Sequence, residues 1–397
     1  MRSLLLASLL LAACADPEVT HTYAAYTGDA FPNQRKALTL PAGEIGFTSD
    51  TGSDTVTVLS LPSGTVLAQR SVGRVPVDLD GPHHLAVDPE ASAVYIALSY
   101  PRATAGAGPH VAHGSSVSDG FLQKRSLTDL GPLGEVRLDP NPGDIVLSQD
   151  GKRLVVTHFN IALANKPGAS LQERRGRMAV VDPAQLLPQG SPEPRWVTVC
   201  VAPHGVVLSP PDGRLAYVAC FGEDAVAVVD LQPAKATIAY VPLGEAAVTQ
   251  GPPSYGPYAL ALAGTRLAVA STESKDVRVL DTVTQTMRPG IAKTTGSPYF
   301  PAFSPDGARL WVPTQAPDAL VEIDAESGKV LRTQSLGATC LKPHEIVATP
   351  DGARLYVVCE GDHVGPGRVL VLDAATLAVS ASAAVGVYPD RLVVVYK

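Results

Sequence analysis

A repeated unit near the C-terminus constrains the fold of this chain more than any other feature. An apolar run at residues 346–349 leads into a Pro-Asp-Gly turn, and a second run follows at residues 355–358. A third run at residues 369–373 ends in an aspartate, and residues 377–385 supply a fourth. Apolar runs of this length between Pro, Asp and Gly turns predict short antiparallel strands. Four such strands, repeated along a chain, are typical of a propeller blade.

The unit recurs seven times, and each copy opens its innermost strand with a proline. These prolines are Pro82, Pro142, Pro203, Pro257, Pro298, Pro343 and Pro389. The last copy, at residues 388–395, has nothing after it to complete a blade, whereas the strands predicted at residues 56–61 and 65–72 have no inner partner before them. Pairing the C-terminal strand with these N-terminal strands removes an exposed sheet edge. We therefore predict an all-β, seven-bladed propeller over residues 43–397, closed by that pairing.

Two of the repeated units are longer than the others. The second and third blades contain additional residues at 100–120 and 159–176, and neither stretch shows strand periodicity. Stretches of this kind between regular elements are typical of loops. We therefore predict two long loops that shape one face of the propeller.

The repeated motif resembles the YVTN/YncE-like family of seven-bladed β-propellers. The residues that carry the resemblance are Ser304-Pro305-Asp306-Gly307, Leu310-Trp311-Val312 and Val321-Glu322-Ile323-Asp324. Ala263-Gly264-Thr265 replaces the turn in the fifth blade and so departs from the pattern at that turn. The resemblance implies the fold. It leaves function open, because related propellers serve as surface proteins, binding modules, lactonases and parts of copper enzymes.

The first residues of the chain predict export. Arg2 precedes an apolar run that is too short to span a bilayer, and Leu11-Ala12-Ala13-Cys14 follows. This tetrapeptide resembles the lipobox of bacterial lipoproteins, which implies a signal peptide over residues 1–13 and lipidation of Cys14. We expect a tether over residues 14–42 and a protein lipid-anchored in the bacterial cell envelope, periplasmic or surface-exposed. An ordinary secretory signal with an incidental cysteine is the alternative.

The overall charge indicates which partners to expect. The formal net charge is −7, and no Lys/Arg cluster provides the basic face that nucleic acid requires. We predict no nucleic-acid binding, contact with the membrane through the lipid alone, and a monomer. The expected partner is an envelope protein or a small-molecule ligand.

The four remaining cysteines fall at matching places in two blades. Across the predicted first hairpin, Cys200 opposes Cys220 and Cys340 opposes Cys359, each pair at the same end of its hairpin. An even number of cysteines in an oxidising compartment favours disulfides. The alternative is a metal, copper or zinc, because a histidine lies four residues after the first cysteine of each pair.

Histidines, tyrosines and acids cluster just after the blade-opening prolines. In a propeller these positions converge on the end of the central channel, so we predict a His-rich face with a ligand site at the channel mouth. The ligand-binding candidates are His83, His84, Asp144, His204, Tyr258, Tyr299, His344, Glu345 and Asp390. The metal-ligand candidates among them are His83, His204 and His344. The alternative is that each Pro-His pair only caps an inner strand by hydrogen bonding.

Common catalytic motifs do not occur in the chain. It lacks G-x-S-x-G, H-E-x-x-H, C-x-x-C-H, a P-loop and G-x-G-x-x-G. We assign no residue a catalytic role and no cofactor beyond the alternative of copper or zinc. The leading hypothesis is a binding module. The second is an enzyme, lactonase-like or copper-dependent, that uses the channel-mouth residues.

Overall fold

The computed structural model describes residues 35–75, 78–101, 114–245, 248 and 251–397. The predicted signal peptide over residues 1–13, the lipidation site at Cys14 and most of the tether over residues 14–42 lie outside the described residues and stay predictions. His110 and His113, in the long loop of the second blade, lie outside them as well. No helix within the described ranges is long and apolar enough to cross a membrane.

The described chain forms seven antiparallel β-sheets, which are the blades predicted from the repeats. Blade 1 contains β29, β1, β2 and β3; blade 2, β4–β7; blade 3, β8–β11; blade 4, β12–β15; blade 5, β16–β19; blade 6, β20–β24; and blade 7, β25–β28. The strands are β1 (Glu44–Asp50), β2 (Thr55–Leu61), β3 (Thr65–Ser71), β4 (Pro82–Asp88), β5 (Ala93–Leu98), β6 (Asp119–Ser126), β7 (Pro132–Pro140), β8 (Pro142–Leu147), β9 (Leu154–His158), β10 (Arg175–Val181), β11 (Arg195–Val201), β12 (Pro203–Leu208), β13 (Leu215–Cys220), β14 (Ala225–Asp230), β15 (Thr237–Pro242), β16 (Pro257–Ala263), β17 (Arg266–Ser271), β18 (Asp276–Asp281), β19 (Thr286–Lys293), β20 (Ser297–Pro298), β21 (Ala302–Phe303), β22 (Arg309–Gln315), β23 (Ala319–Asp324), β24 (Val330–Ser335), β25 (Pro343–Ala348), β26 (Arg354–Cys359), β27 (Pro366–Asp373), β28 (Val379–Val387) and β29 (Pro389–Tyr396).

The blades close into a ring. The first strand of each blade contacts the first strand of the next, from β29 through β4, β8, β12, β16, β21 and β25 back to β29. Strand β29 also pairs with β1, and the backbones of Gly43 and Lys397 exchange hydrogen bonds of 3.0 and 2.9 Å. This confirms the predicted fold and its closure by the C-terminal strand.

Blade 1 contains one strand, β1, that the sequence pattern does not predict. β1 lies between β29 and β2. The C-terminal strand therefore pairs with β1, whereas the sequence predicts that it joins the strands at residues 56–61 and 65–72. The sequence EIGFTSD has few β-branched residues and an internal glycine, so its local β signal is weak. Pairing on both sides with other strands holds it in the sheet.

Most of the core lies between neighbouring blades. Side chains that alternate along each strand pack against the facing sheet, and Tyr95, Tyr356 and Phe47 are among the largest that are fully buried. The recurring turn joins the first two strands. In blade 6 the Ser304 hydroxyl donates to Asp306, and Gly307 adopts a φ of +70°, which favours glycine.

The long segment of blade 3 is not a simple loop. Residues 159–176, predicted as loop, contain α1 (Ile161–Ala164) and α2 (Leu171–Arg174). Asn160 caps α1, while Ser170 and Glu173 form a capping box on α2. Helices of four residues are too short to show a 3.6-residue periodicity, which explains the incorrect prediction.

Candidate functional site

The residue after each blade-opening proline departs from the regular strand pairing. The register shifts directly after Pro82, Pro142, Pro203, Pro257 and Pro343, so the next side chain is released from the sheet pattern. Irregularities of this kind redirect a side chain. The residue before the proline has a positive φ in six blades, which the sequence does not predict. These residues are Gly81, Asn141, Ala202, Gly256, Lys342 and Tyr388.

The redirected side chains meet on the axis of the ring, in a group that we call the channel cluster. It contains His83, His84, Asp144, His204, Phe300, His344, Glu345, Asp390 and Arg391. His83 stacks on His84 with ring centroids 4.3 Å apart, and the His84 ring lies 6.2 Å from both His204 and His344. The tertiary structure therefore brings together most of the predicted ligand candidates, from five different blades.

Phe300 enters the cluster because the inner strand of blade 6 is interrupted between β20 and β21. The Phe300 backbone pairs instead with blade 7, donating to the carbonyl of His344 and accepting from the amide of Ile346 at 3.0 and 3.1 Å. Its ring lies 5.1 Å from His84 and 5.2 Å from His344. Phe300 is not among the candidates predicted from the sequence, because the neighbouring residues do not distinguish it from a core phenylalanine.

Each of the four imidazoles uses Nδ1 for a contact with an oxygen. His204 donates to the carbonyl of Tyr258 at 3.1 Å, and His344 donates to the carbonyl of Asp390 at 2.8 Å. A carbonyl only accepts, so Nδ1 carries the hydrogen in both rings. His83 and His84 contact the carboxylates of Asp390 and Asp144. Burial lowers the pKa of His84 and His204 well below the usual 6.5, so these two rings are neutral at pH 7.

Two of the three acids of the cluster share one arginine. Arg391 Nη1 lies 3.0 Å from Glu345 and 3.8 Å from Asp144. Glu345 also accepts from the amide of Leu392 at 2.6 Å, and Asp144 accepts from the amide of Val206 at 3.0 Å. Burial raises the pKa of Glu345 to about 7, and Arg391 offsets only part of this rise. Burial raises the pKa of Asp144 as well.

The channel cluster is closed rather than open to solvent. His83, His84, His204, His344 and Asp390 are each 0% exposed, and the remaining predicted candidates are also buried. The seven candidates within the cluster therefore do not form the concave, solvent-facing mouth that the sequence predicts. The inner strands converge on a narrow axis, and the aromatic ring of Phe300 fills space among them.

An accessible cavity lies beside the cluster instead, on the side of blades 3 to 6. This end-face cavity has a volume of about 990 Å³. Its aromatic lining consists of Phe159, Phe221, Tyr258 and Tyr299, and its charged lining includes Lys166, Arg174 and Glu273. Tyr258 joins the two regions, because its ring lines the cavity and stacks on His204 with centroids 3.7 Å apart.

Among the predicted candidates, only Tyr258 and Tyr299 line this cavity. The segment that carries α1 and α2 supplies much of the remaining wall, including Lys166 and Leu171. The capping pattern of Ser170 and Glu173 was the signal in the sequence that could have indicated structure there.

Both predicted disulfides are present. Cys200 bonds to Cys220 and Cys340 to Cys359, with Cα atoms 5.7 and 5.2 Å apart. The alternative of cysteine and histidine as joint metal ligands is therefore wrong for this structure, because no thiolate remains in either pair. The first disulfide adjoins Val201 and Phe221, which line the end-face cavity.

One group of potential metal ligands lies close together in the described part of the chain. Single ligand atoms of His344, Glu360 and Asp390 all lie within 4.8 Å of one another, and all three residues are buried. Of the predicted metal ligands, only His344 belongs to this group, and metal binding by His83 and His204 stays a prediction. Glu360, which directly follows a disulfide cysteine, is not among the candidates predicted from the sequence.

Comparison with solved structures identifies propellers of similar size. The periplasmic gluconolactonase PpgL of Pseudomonas aeruginosa has a TM-score of 0.63 and 20% identity, over 89% of this chain and 99% of that one. A putative 6-phosphogluconolactonase from Bacteroides uniformis has a TM-score of 0.63 and 15% identity, over 89% and 100%. A protein of unknown function from Desulfotomaculum acetoxidans has a TM-score of 0.63 and 12% identity, over 89% and 99%.

At these identities the likeness establishes the propeller fold alone. No protein-family model and no curated protein matches the chain. Membership of the YVTN/YncE-like family therefore stays a prediction from the repeated motif.

Proposed function

We propose that this chain is a lipid-anchored propeller of the bacterial cell envelope that binds a small organic molecule in its end-face cavity. The cavity is the observation that carries the proposal, because it is large enough for a metabolite and part of its wall, including Lys166 and Ser170, is exposed to solvent. Two intrablade disulfides favour an oxidising compartment. The lipobox-like sequence before Cys14 supports the anchor.

The cavity lining indicates the chemistry of the ligand. Four aromatic rings offer flat apolar faces, while Lys166 and Arg174 offer positive charge and hydrogen-bond donors on one segment. Glu273 and Ser297 add polar contacts. A ring-containing molecule with an anionic group fits this combination. The names of two structural neighbours, a gluconolactonase and a putative 6-phosphogluconolactonase, make sugar acids and their lactones the first compounds to test.

The second candidate function is an enzyme, either a lactonase-like hydrolase or one dependent on copper. Glu345 favours it, because a carboxyl with a pKa of about 7 matches the requirement of a general acid or base at neutral pH. The buried position of Glu345 favours the binding module, because a substrate in the end-face cavity does not contact this carboxyl. Hydrolysis of lactones that depends on Glu345 would reverse this order.

A ligand screen tests the binding proposal directly. Sugar acids, their phosphates and their lactones are added to the purified protein, and the melting temperature and the heat of binding are measured. We expect at least one of these compounds to raise the melting temperature. Phe221→Ala removes an aromatic wall and is expected to weaken that binding about tenfold. Lys152→Ala changes an exposed lysine outside the cavity lining and serves as the matched control.

Two results would contradict the proposal. The first is that no compound of these classes stabilises the protein. The second is that Phe221→Ala binds as tightly as the unchanged protein, which would place the ligand elsewhere.

A further inference from the structure

Blades 7 and 1 bring three metal-ligand side chains together below the surface. His344 is the second residue of β25, Glu360 directly follows β26, and Asp390 is the second residue of β29. Their ligand atoms lie within 4.8 Å of one another. Glu360 and Asp390 are each 0% exposed, so both carboxylates have lost their hydration.

Asp390 has one carboxylate oxygen satisfied and one that is not. Oδ2 accepts from the hydroxyl of Thr51 and lies 2.9 Å from Nδ1 of His83. Oδ1 has no hydrogen-bond partner among the described residues and lies 3.8 Å from Nδ1 of His344. A buried carboxylate oxygen without a hydrogen bond carries a large desolvation cost. A bound cation would remove that cost.

Glu360 connects the group to the surface. Its Oε1 accepts from the side-chain amide of Gln315 at 2.8 Å, and its Oε2 lies 2.7 Å from Nε2 of His363. The His363 side chain is 22% exposed and stacks on Tyr388 with centroids 3.8 Å apart. A cation arriving from solvent would therefore meet His363 before it reached Glu360.

The ion pairs of the described chain give these two acids only imidazoles. Asp390 contacts His83 and His344, while Glu360 contacts His363. Arg391 is paired with Glu345 and Asp144 instead. Two buried carboxylates next to imidazoles form an environment whose negative charge a divalent cation would offset.

We propose that His344, Glu360 and Asp390 bind one divalent cation of the zinc class. One imidazole and two carboxylates are a ligand set that zinc accepts, whereas the disulfides leave none of the thiolates that copper(I) prefers. The Nδ1 hydrogen of His344 is donated to a backbone carbonyl, so a neutral ring has its lone pair on Nε2. The contact of His83 with Asp390 orients the carboxylate. This site is independent of any ligand in the end-face cavity.

Metal titration of the purified protein tests the site. The protein is prepared without a histidine tag, treated with a chelator and dialysed, and zinc is then added while binding heat and bound metal are measured. We expect one zinc ion per chain and a higher melting temperature. Asp390→Asn and Glu360→Gln each remove a charged ligand and are expected to weaken binding about 100-fold or more.

Asp276→Asn is the matched control. Asp276 is a buried carboxylate of blade 5 that pairs with Arg278 and Lys293, and it belongs neither to the channel cluster nor to the group of three. We expect the zinc affinity of this variant to stay within a few-fold of the unchanged protein. Equal zinc binding by Asp390→Asn, Glu360→Gln and the unchanged protein would indicate adventitious surface binding and overturn the proposal.

If the variants fail to fold, the site can be tested by X-ray diffraction from crystals of the unchanged protein soaked in zinc chloride. We expect an anomalous difference peak between His344, Glu360 and Asp390. Anomalous peaks only at other positions, or a zinc content far below one per chain after titration, would also overturn the proposal.

Discussion

The channel cluster and the end-face cavity contain similar residue types but differ in their access to solvent. In the channel cluster, four histidines, three acids and an arginine lie close together and are almost entirely buried. In the cavity, a lysine, an arginine and a glutamate line a space of about 990 Å³ beside aromatic rings. Tyr258 of the cavity lining stacks on His204 of the channel cluster, so the two regions adjoin at this aromatic ring.

The difference shows that gathering reactive residues is not sufficient to make an accessible site. On the axis of the ring, the inner strands come so close that the side chains contact one another and exclude solvent. At the end face, the inserted segment with α1 and α2 packs on the blades through Ile161, Ala164 and Leu171 and forms one wall of the cavity. Apart from the proposed zinc ligands His344 and Asp390, we therefore expect changes in the channel cluster to affect mainly stability and its pH dependence, and changes in the cavity to affect mainly the binding of an organic ligand.

The largest expected effect is the loss of Arg391. Arg391→Ala leaves Glu345 and Asp144 buried without their common cation, and it should lower the free energy of unfolding by about 3–5 kcal/mol in a denaturant titration. Arg214→Ala breaks an exposed pair with Asp230 and should lower the free energy of unfolding far less, because solvent screens this pair. Similar losses for the two variants would mean that the channel cluster is solvated, and the contrast between the regions would fail.

Glu345 should make stability depend on pH. Its folded pKa of about 7 exceeds the ordinary 4.5, so the folded state retains a proton that the unfolded state releases. The stabilisation is complete below about pH 4.5 and is lost as the pH rises through 7. Glu345→Gln should remove this loss and gain on the order of 3 kcal/mol relative to the unchanged protein across that range.

Unfolding curves at several pH values measure this difference. Glu326→Gln is the control, because Glu326 is exposed and its contacts with Arg266 and Arg288 hold its pKa below the usual range. It should not show the same gain with rising pH. A constant difference between Glu345→Gln and the unchanged protein would show that Glu345 does not retain its proton.

The two disulfides allow the end-face cavity and the proposed zinc site to be disturbed separately. Replacing either pair with serines opens a loop of about twenty residues, with a sequence separation of 20 or 19, and should cost about 2–4 kcal/mol in unfolding free energy. Loss of Cys200–Cys220 should weaken ligand binding in the adjoining cavity. Loss of Cys340–Cys359 should weaken zinc binding, because Glu360 follows Cys359 directly. If each variant weakened ligand binding and zinc binding equally, the result would contradict the separation of the cavity from the zinc site.

The smallest effect on stability is expected for Lys166, an exposed residue of the cavity wall. Lys166→Ala should change the free energy of unfolding by less than about 0.5 kcal/mol. It should nevertheless weaken the binding of an anionic ligand, with little effect on an uncharged analogue of the same ring. Equal effects on the two ligands in a calorimetric titration would show that the lysine does not contact the anionic group.

Local patterns in the sequence determined much of the architecture. The recurring prolines and Pro-Asp-Gly turns define the hairpins of the blades, and a hairpin turn sets which residues lie opposite one another. For this reason the pairing of Cys200 with Cys220 and of Cys340 with Cys359 could be predicted from their distance to the turn. The closure by β29 followed from the missing partner of the first blade, although the weak strand β1 was missed.

Only the tertiary structure decided which residues are accessible and which of them meet across blades. Glu360, His344 and Asp390 lie in separate strands and loops, and their distances depend on how two blades pack after the ring closes. The burial of the imidazoles likewise depends on the narrow axis and on Phe300, which a break in blade 6 turns inward. Sequence periodicity reports the pairing within one sheet, whereas access to solvent is a property of all seven sheets together.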